Sequence, residues 1–410
     1  MIRQEEISLI IDSQKEEFIF KSTFLEREEL SNIPALDSFA TIITGIRRCG
    51  KSTLLLQYLR AQKANIIYFN FDDIRLSEFE TSDFIRFHNE IQTRKSETIV
   101  LDEVQMIDKW EIYVHQLLRE GYKVFVTGSN ASLLSRELGT HLTGRHISME
   151  LFPFSYSEFV KYTKAEYNEK SFLDYLEIGG MPEYVKNKQI IILQSLLDDI
   201  LMRDIVVRHN IKDTMSLRSL AVYLLSNVGN LVSANKIVGM FGIKSSTTIL
   251  DYMSYLNDSY ILDYLPKFSY SVKAQARNPK KVYAMDMGLI KAASISFTED
   301  LGQRFENLIY LHLRRKHKEI YYFQDKGECD FLVFEKGKVI SATQVCYKIT
   351  NENFDREYNG LIEAMKTLNL KEGTIVTLNT KDIFEKDGLT VNVIPAHEYL
   401  IKIKKLNLIL

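Results

Sequence analysis

Read for hydrophobic periodicity, the first third of the chain alternates short apolar runs with longer stretches of helical spacing. Residues 38–45 (SFATIITG) form an apolar run closed by Gly45, and residues 53–61 (TLLLQYLRA) continue as an apolar-rich helix. Further runs lie at 66–71, 98–101 and 123–127, separated by polar or helical sequence. Continuous apolar strands alternating with helices predict a parallel sheet covered on both faces. From about Leu151 to Arg208 the pattern becomes helical, interrupted by Gly179-Gly180 and Pro182. Two or three amphipathic helices and short alternating segments follow from Lys212 to about Lys291. From about Gln303 the spacing predicts a helix, a strand pair, then further helix and strands.

Composition narrows this picture. The 410 residues allow two or three domains at about 150 residues each. Lys and Arg number 52 against 54 Asp and Glu, a net charge of -2, which argues against a uniformly basic nucleic-acid coat. The charge is segregated, however: residues 212–291 hold ten bases and five acids, net +5, which leaves -7 for the remainder. Three cysteines, Cys49, Cys329 and Cys346, are too few for a disulfide framework. They predict a reduced, cytoplasmic setting. No run approaches the 18 or so apolar residues of a membrane helix. The opening MIRQEEISLIIDSQKEEF carries acids where a signal peptide would have an apolar core.

The sharpest chemical signal is Gly45-Ile46-Arg47-Arg48-Cys49-Gly50-Lys51-Ser52, with Thr53 behind it, which matches G-x-x-x-x-G-K-[ST] between a predicted strand and a predicted helix. Glycines let backbone N–H groups curl around a phosphate, and the helix start adds its positive dipole end. Lys51 is placed to reach the β- and γ-phosphates of ATP, and the Ser52 hydroxyl to ligate Mg2+. The run 98–103 (TIVLDE) supplies the complementary acids: Asp102 for the Mg2+ shell and Glu103 to polarise the attacking water. A further strand ends in Gly128-Ser129-Asn130, which would present Ser129 or Asn130 toward the γ-phosphate or the water. Arg145 is the candidate for an arginine that neutralises transition-state charge, in cis or from a neighbouring subunit; a structural ion pair is its plain alternative.

ITGIRRCGKSTLL, YFNFDDIRL, IVLDEVQ, VFVTGSNASLLSREL and LTGRHISMELFPFSYSEF, in this order, resemble the AAA-type ATPase domain of a bacterial and archaeal ATPase family with a C-terminal domain of unknown function, DUF4143. GGMPEYV (179–185) and DDILMRDIVVRHNI (198–211) continue the likeness. The resemblance implies a P-loop ATPase core of the additional-strand, catalytic-glutamate type, a helical lid, a winged-helix-like segment and a tail similar to the PD-(D/E)XK nuclease fold. The expected domains are 1–150 (ATPase core), 151–210 (lid), 211–295 (winged-helix-like) and 296–410 (nuclease-like, expected to be catalytically degenerate).

Within the basic middle, residues 232–238, a Gly-containing turn and 245–250 have helix-turn-helix spacing. Lys273 to Lys281 would then be a basic hairpin tip able to meet phosphates, so DNA contact is expected through residues 232–281. Packing against the ATPase or in a homo-oligomer is the alternative. A PD-(D/E)XK centre needs a helical acid, an Asp on one strand and a Glu-x-Lys on the next. Glu306 and Asp330 fit the first two places and Gln344 the third, but Cys346 stands where the lysine belongs, with Lys348 two residues on as a substitute. The sequence thus predicts an α/β protein that hydrolyses ATP with Mg2+ and acts as a switch on DNA or a protein partner. An ATP-regulated nuclease and a nucleotide-binding scaffold remain the alternatives.

Overall fold

The computed structural model describes residues 1–20, 25–62, 65–131, 144–293 and 300–402. Two compact units emerge: Met1–Phe152 with Asp258–Tyr260, and Pro153–Asn257 with Ile261–Leu410. Most of the SNASLLSREL stretch of the resemblance lies outside the described residues.

The first unit is built on a parallel sheet of β1 (Ala40–Thr44), β2 (Ile66–Asn70), β3 (Thr98–Asp102), β4 (Lys123–Gly128) and β5 (His146–Glu150), in the order β2-β3-β4-β1-β5. Every residue of β1 and β3 is buried, which is why these strands read as unbroken apolar runs. β5 had no such signature. It is a half-buried edge strand, HISME, paired with β1 from Ala40↔His146 to Thr44↔Glu150. Among the described residues, four helices flank the sheet: α1 (Gln4–Phe20), α2 (Lys51–Gln62), α3 (Phe84–Arg94) and α4 (Trp110–Arg119). α1 buries Ile7, Ile10, Ile11, Gln14 and Phe18, the spacing of one helical face. Its Gln14 covers the open edge of β2: the amide donates to Asn70 O at 3.1 Å and accepts from Asn70 N at 2.8 Å. An edge strand otherwise presents unpaired backbone groups, and here one side chain satisfies two of them.

The second unit opens with helices at Tyr156–Thr163, Glu169–Ile178, Pro182–Asn187 and Ile190–Asp199, the last continuing in π-helical register through Ile200–Val207. Helices Thr214–Leu225, Ala234–Ile237 and Ser246–Asp258 accompany a small antiparallel sheet of β6 (Leu231–Val232), β7 (Leu262–Leu265) and β8 (Lys280–Ala284), ordered β6-β8-β7. The expected basic hairpin tip between β7 and β8 is instead a short helix, Val272–Arg277, because the Ser271 side chain accepts from the Ala274 N–H and starts a turn. Lys281, expected at that exposed tip, is only 4% exposed. A mixed sheet completes the unit: β9 (Glu319–Gln324), β10 (Glu328–Glu335), β11 (Lys338–Val345), β12 (Glu372–Thr377), β13 (Asp382–Lys386) and β14 (Leu389–Pro395), in the order β13-β14-β12-β11-β10-β9. Helices Leu301–Arg314 and Phe354–Thr367 precede β9 and follow β11.

Gly179 and Gly180 mark a close approach rather than a simple break. A Cβ on Gly180 would meet Phe154 O at 2.3 Å, and one on Gly179, where φ is +79°, would meet Asp286 Oδ1 at 2.5 Å. The Asp286 carboxylate is buried between two backbone donors, Gly180 N at 2.7 Å and Gly288 N at 2.8 Å. Burial pushes its carboxyl up to about 6, more than the two N–H donors and Arg315 pull it down. The folded state therefore holds the Asp286 proton at pH values where the unfolded chain has released it. The associated stability is complete below the ordinary carboxylate value and is lost as pH rises to about 6, a difference of about 3 kcal/mol at 1.36 kcal/mol per unit. Measured by urea unfolding from pH 4 to 7.5, the stability of the wild-type chain relative to Asp286→Asn should fall with rising pH and level off above about 7. A pH-independent difference would remove Asp286 as the cause.

Candidate functional site

The carboxyl edge of the first sheet gathers the site. β4 lies between β1 and β3, with Ile43↔Thr127 and Leu101↔Val126 in register, so the loop after β1 and the acids ending β3 face each other across Thr127. Parallel sheets bind ligands at this edge. The loop turns through conformations that favour glycine: φ is +149° at Gly45 and +105° at Gly50. At Gly45 a Cβ would lie 2.1 Å from Leu151 O.

Beneath the loop, buried Arg27 donates to Cys49 O and Phe152 O, each at 2.8 Å. Arg47 pairs with Asp72 at 2.6 Å. Arg48 is exposed with φ +63°. Cys49 is buried, its thiol donating to Leu151 O at 3.3 Å, and desolvation raises its pKa. Ile46 is buried, and half-buried Thr53 sits in the first turn of α2.

Lys51 and Ser52 open α2. The Lys51 ammonium, 4% exposed, donates to Gly45 O at 3.0 Å and Ile46 O at 3.3 Å and lies 3.8 Å from Glu103 Oε1. The Ser52 hydroxyl donates to Asp102 Oδ2 at 2.7 Å. Asp102 also accepts from the Tyr68 and Thr127 hydroxyls, so three O–H groups orient one buried carboxylate. An alkoxyl and a carboxylate oxygen this close form the hard donor set that Mg2+ takes together with phosphate oxygens. Tyr68 was missed in the sequence because a tyrosine within an apolar strand reads as core; burial and the nearby Asp102 charge both raise its pKa.

Glu103 stands one residue beyond β3 with φ +53°, a left-handed conformation that turns its side chain out of the strand's alternation. Its N–H donates to Thr127 Oγ1 at 3.3 Å, and its Oε2 accepts from the Gln105 amide. Gln105 Nε2 also donates to Ser129 Oγ at 3.1 Å, whereas Gln105 Oε1 is buried with no hydrogen-bond partner among the described residues. Gln105 too was missed as a site residue, although it stands in the IVLDEVQ run. Asn130 is buried just past β4.

Arg145 is not brought to this site within its own chain. It precedes β5, and its carbonyl accepts from Ala40 N at 3.0 Å at the amino edge of the sheet. Four residue steps of β1, about 13 Å at the usual strand rise, separate Ala40 from the loop. An arginine side chain does not span that gap, so the cis role is withdrawn.

In the second unit, Glu306 and Asp330 do converge, but on a cation that the sequence placed elsewhere. Lys281 Nζ lies 2.8 Å from Asp330 Oδ1, 2.9 Å from Glu328 Oε1 and 3.1 Å from Glu306 Oε1. Burial and Asp330 push the Glu306 carboxyl up to about 7 against the pull of Lys281. Gln344 is turned to other work: its Oε1 accepts from Asp330 N at 3.2 Å and its Nε2 donates to Glu357 at 2.5 Å. Cys346 donates to Lys348 O at 3.3 Å, and the Lys348 side chain is exposed rather than in the cluster.

Comparison with known proteins agrees with the first unit's geometry. A family model described as an AAA domain matches residues 37–160. A second, a domain of unknown function, DUF8612, matches 169–300; this replaces the expected DUF4143 and falls on a different part of the chain. Among solved structures, the Walker-type ATPase PABY2304 of Pyrococcus abyssi is similar at 14% identity and a TM-score of 0.40, over 72% of this chain and 96% of that one. The uncharacterized protein of Haemophilus influenzae is 29% identical over 78% of this chain and 85% of its own length. Uncharacterized protein MJ1544 of Methanocaldococcus jannaschii is 30% identical over 97% of this chain and 95% of its own length. The chain therefore belongs to the family of MJ1544, and its N-terminal part is an AAA-like P-loop ATPase domain.

Proposed function

We propose that the chain hydrolyses ATP in the presence of Mg2+ at the carboxyl edge of the first sheet. The observation that carries this reading is the convergence of Lys51, Ser52, Asp102 and Glu103 from two non-adjacent strands. Bound Mg2+ would supply charge neutralisation between the phosphates. Ser52 and Asp102 would hold it, while Tyr68 and Thr127 keep the carboxylate in place. Lys51 exchanges its two loop carbonyls for phosphate oxygens, and the loop amides face the same group.

Glu103 takes a proton from the attacking water, whose oxygen forms the new bond to the γ-phosphorus as the bond to ADP breaks. Gln105 is the positioning residue for that step. Its N–H group holds Glu103 in place. Asn130 and Ser129 line the neighbouring strand end, and Arg145 would act only from another subunit.

For the second unit we read the helices and small sheet of residues 214–284 as winged-helix-like and the six-stranded sheet as nuclease-like, acting as a nucleotide-dependent switch on a protein partner. The partner reading is favoured over DNA by the helix that would enter a groove. Ser246–Asp258 contains no Lys or Arg, carries exposed Asp251, and exposes Leu250 by 56%. Phosphate recognition requires the opposite charge.

Lys51→Ala should abolish binding of a fluorescent ATP analogue, and Glu103→Gln should retain binding while turnover falls about 100-fold or more; undiminished turnover in Glu103→Gln would sink the base assignment. Gln105→Ala should lower kcat about tenfold with KM for ATP nearly unchanged, since Gln105 touches the base rather than the nucleotide. A rise in KM at constant kcat would place Gln105 in binding instead.

A further inference from the structure

Lys281 is a buried ammonium in a setting built for a cation. It stands on β8, opposite Leu231 of β6 and Leu265 of β7, and its side chain leaves the small sheet to enter the acids of the large one. Its three N–H donors meet three carboxylates, those of Asp330, Glu328 and Glu306. The Tyr322 ring lies 5.9 Å away. Asp330 Oδ2 accepts from Val345 N at 2.9 Å, and Glu306 Oε1, the oxygen that meets Lys281, also accepts from the Tyr283 hydroxyl at 2.6 Å. Burial alone would drive Lys281 toward its neutral form, but Asp330, Glu306 and Glu328 together outweigh it and raise its pKa well above the ordinary lysine value. The ammonium therefore stays charged.

A divalent ion fits this arrangement poorly. Mg2+ demands near-octahedral oxygen donors at about 2.1 Å, whereas the Asp330, Glu306 and Glu328 oxygens are drawn to 2.8–3.1 Å around a nitrogen. Gln344, the third ligand expected from the nuclease-like pattern, has both ends of its amide committed to Asp330 N and Glu357. Among the described residues no group of three or more His, Cys, Asp or Glu is arranged to hold a metal ion.

We propose that Lys281 is the resident cation of the Glu306, Glu328 and Asp330 cluster, standing where a divalent ion would bind, so that the native chain takes up no metal there. The cluster is a charge clasp that ties β8 to β10 and to helix Leu301–Arg314. It follows that the nuclease-like sheet is held in a non-cutting state by its own lysine, and that removing the ammonium uncovers a latent divalent-cation site. The inference rests on the nuclease-like reading of the second unit and is independent of the ATP site.

Mn2+ alone is the probe, titrated into the full nucleotide-free chain and followed by the electron paramagnetic resonance of free Mn2+. The variants are Asp330→Asn, Lys281→Met and the double substitution. Wild type and Asp330→Asn should bind equal amounts of Mn2+, since any ion at the ATP site is common to both. Lys281→Met should gain one Mn2+ per chain, lost again in the double variant. Two results overturn the proposal: wild type binding one more Mn2+ than Asp330→Asn, or folded Lys281→Met gaining none. Should Lys281→Met fail to fold, the wild-type and Asp330→Asn comparison decides by itself, together with plasmid cleavage in Mn2+. Cleavage by wild type that Asp330→Asn abolishes would make the cluster a working nuclease centre with Lys281 as its lysine.

Discussion

The bond from the Ser52 hydroxyl to Asp102 spans the width of β4, because loop and acid belong to strands that are not neighbours. That separation makes a nucleotide site feasible. With β4 inserted between β1 and β3, the glycine loop and the acids flank a strand ending in Thr127, whose hydroxyl touches both Asp102 and the Glu103 amide. Were β1 and β3 paired directly, the phosphate groove would have no floor and Glu103 no anchor. Arg27 from below and Leu151 O beside Gly45 keep the loop closed against this edge.

The parts legible in the sequence are those in which local chemistry and tertiary position coincide. Fully buried parallel strands have to read as apolar runs, and a loop that wraps phosphate has to contain Gly45, Gly50 and Lys51 in fixed spacing. Residues recruited by the fold carry no such mark. Tyr68 and Gln105 acquire their roles only because β2 lies beside β3 and because the turn after Asp102 brings residue 105 back onto Glu103. β5 was hidden because a half-buried edge strand has no continuous apolar run, and with β5 unseen Arg145 had no position. Once β5 is paired in parallel with β1, the start of β5 falls at the sheet edge opposite the loop.

The basic middle segment shows how a charge count misleads when burial is unknown. Lys280-Lys281 reads as a solvated pair, and Lys280 is indeed exposed, but strand alternation sends Lys281 inward. Part of the +5 of residues 212–291 is thus spent on acids within the same unit, outside the segment that was counted. The helix Ser246–Asp258 adds exposed Asp251 at the surface expected to meet phosphate. What remains exposed, Lys212, Arg218, Lys236, Lys244, Lys273, Arg277 and Lys280, is scattered over several elements.

Two buried lysines make the same point in terms of energy. Lys51 and Lys281 are each 4% exposed, and each must keep its charge against the cost of leaving water. Lys51 does so with two neutral carbonyls and a carboxylate at 3.8 Å, so its positive charge is solvated but not cancelled. Lys281 is bound by three carboxylates within 3.1 Å and its field is consumed. An incoming polyphosphate can displace carbonyl dipoles from the first with a gain in Coulomb energy, because it brings charge where there was only a dipole. It would have to strip full charges from the second, with no such gain. The partner type, carbonyl or carboxylate, therefore separates a lysine available to a ligand from one that serves the fold.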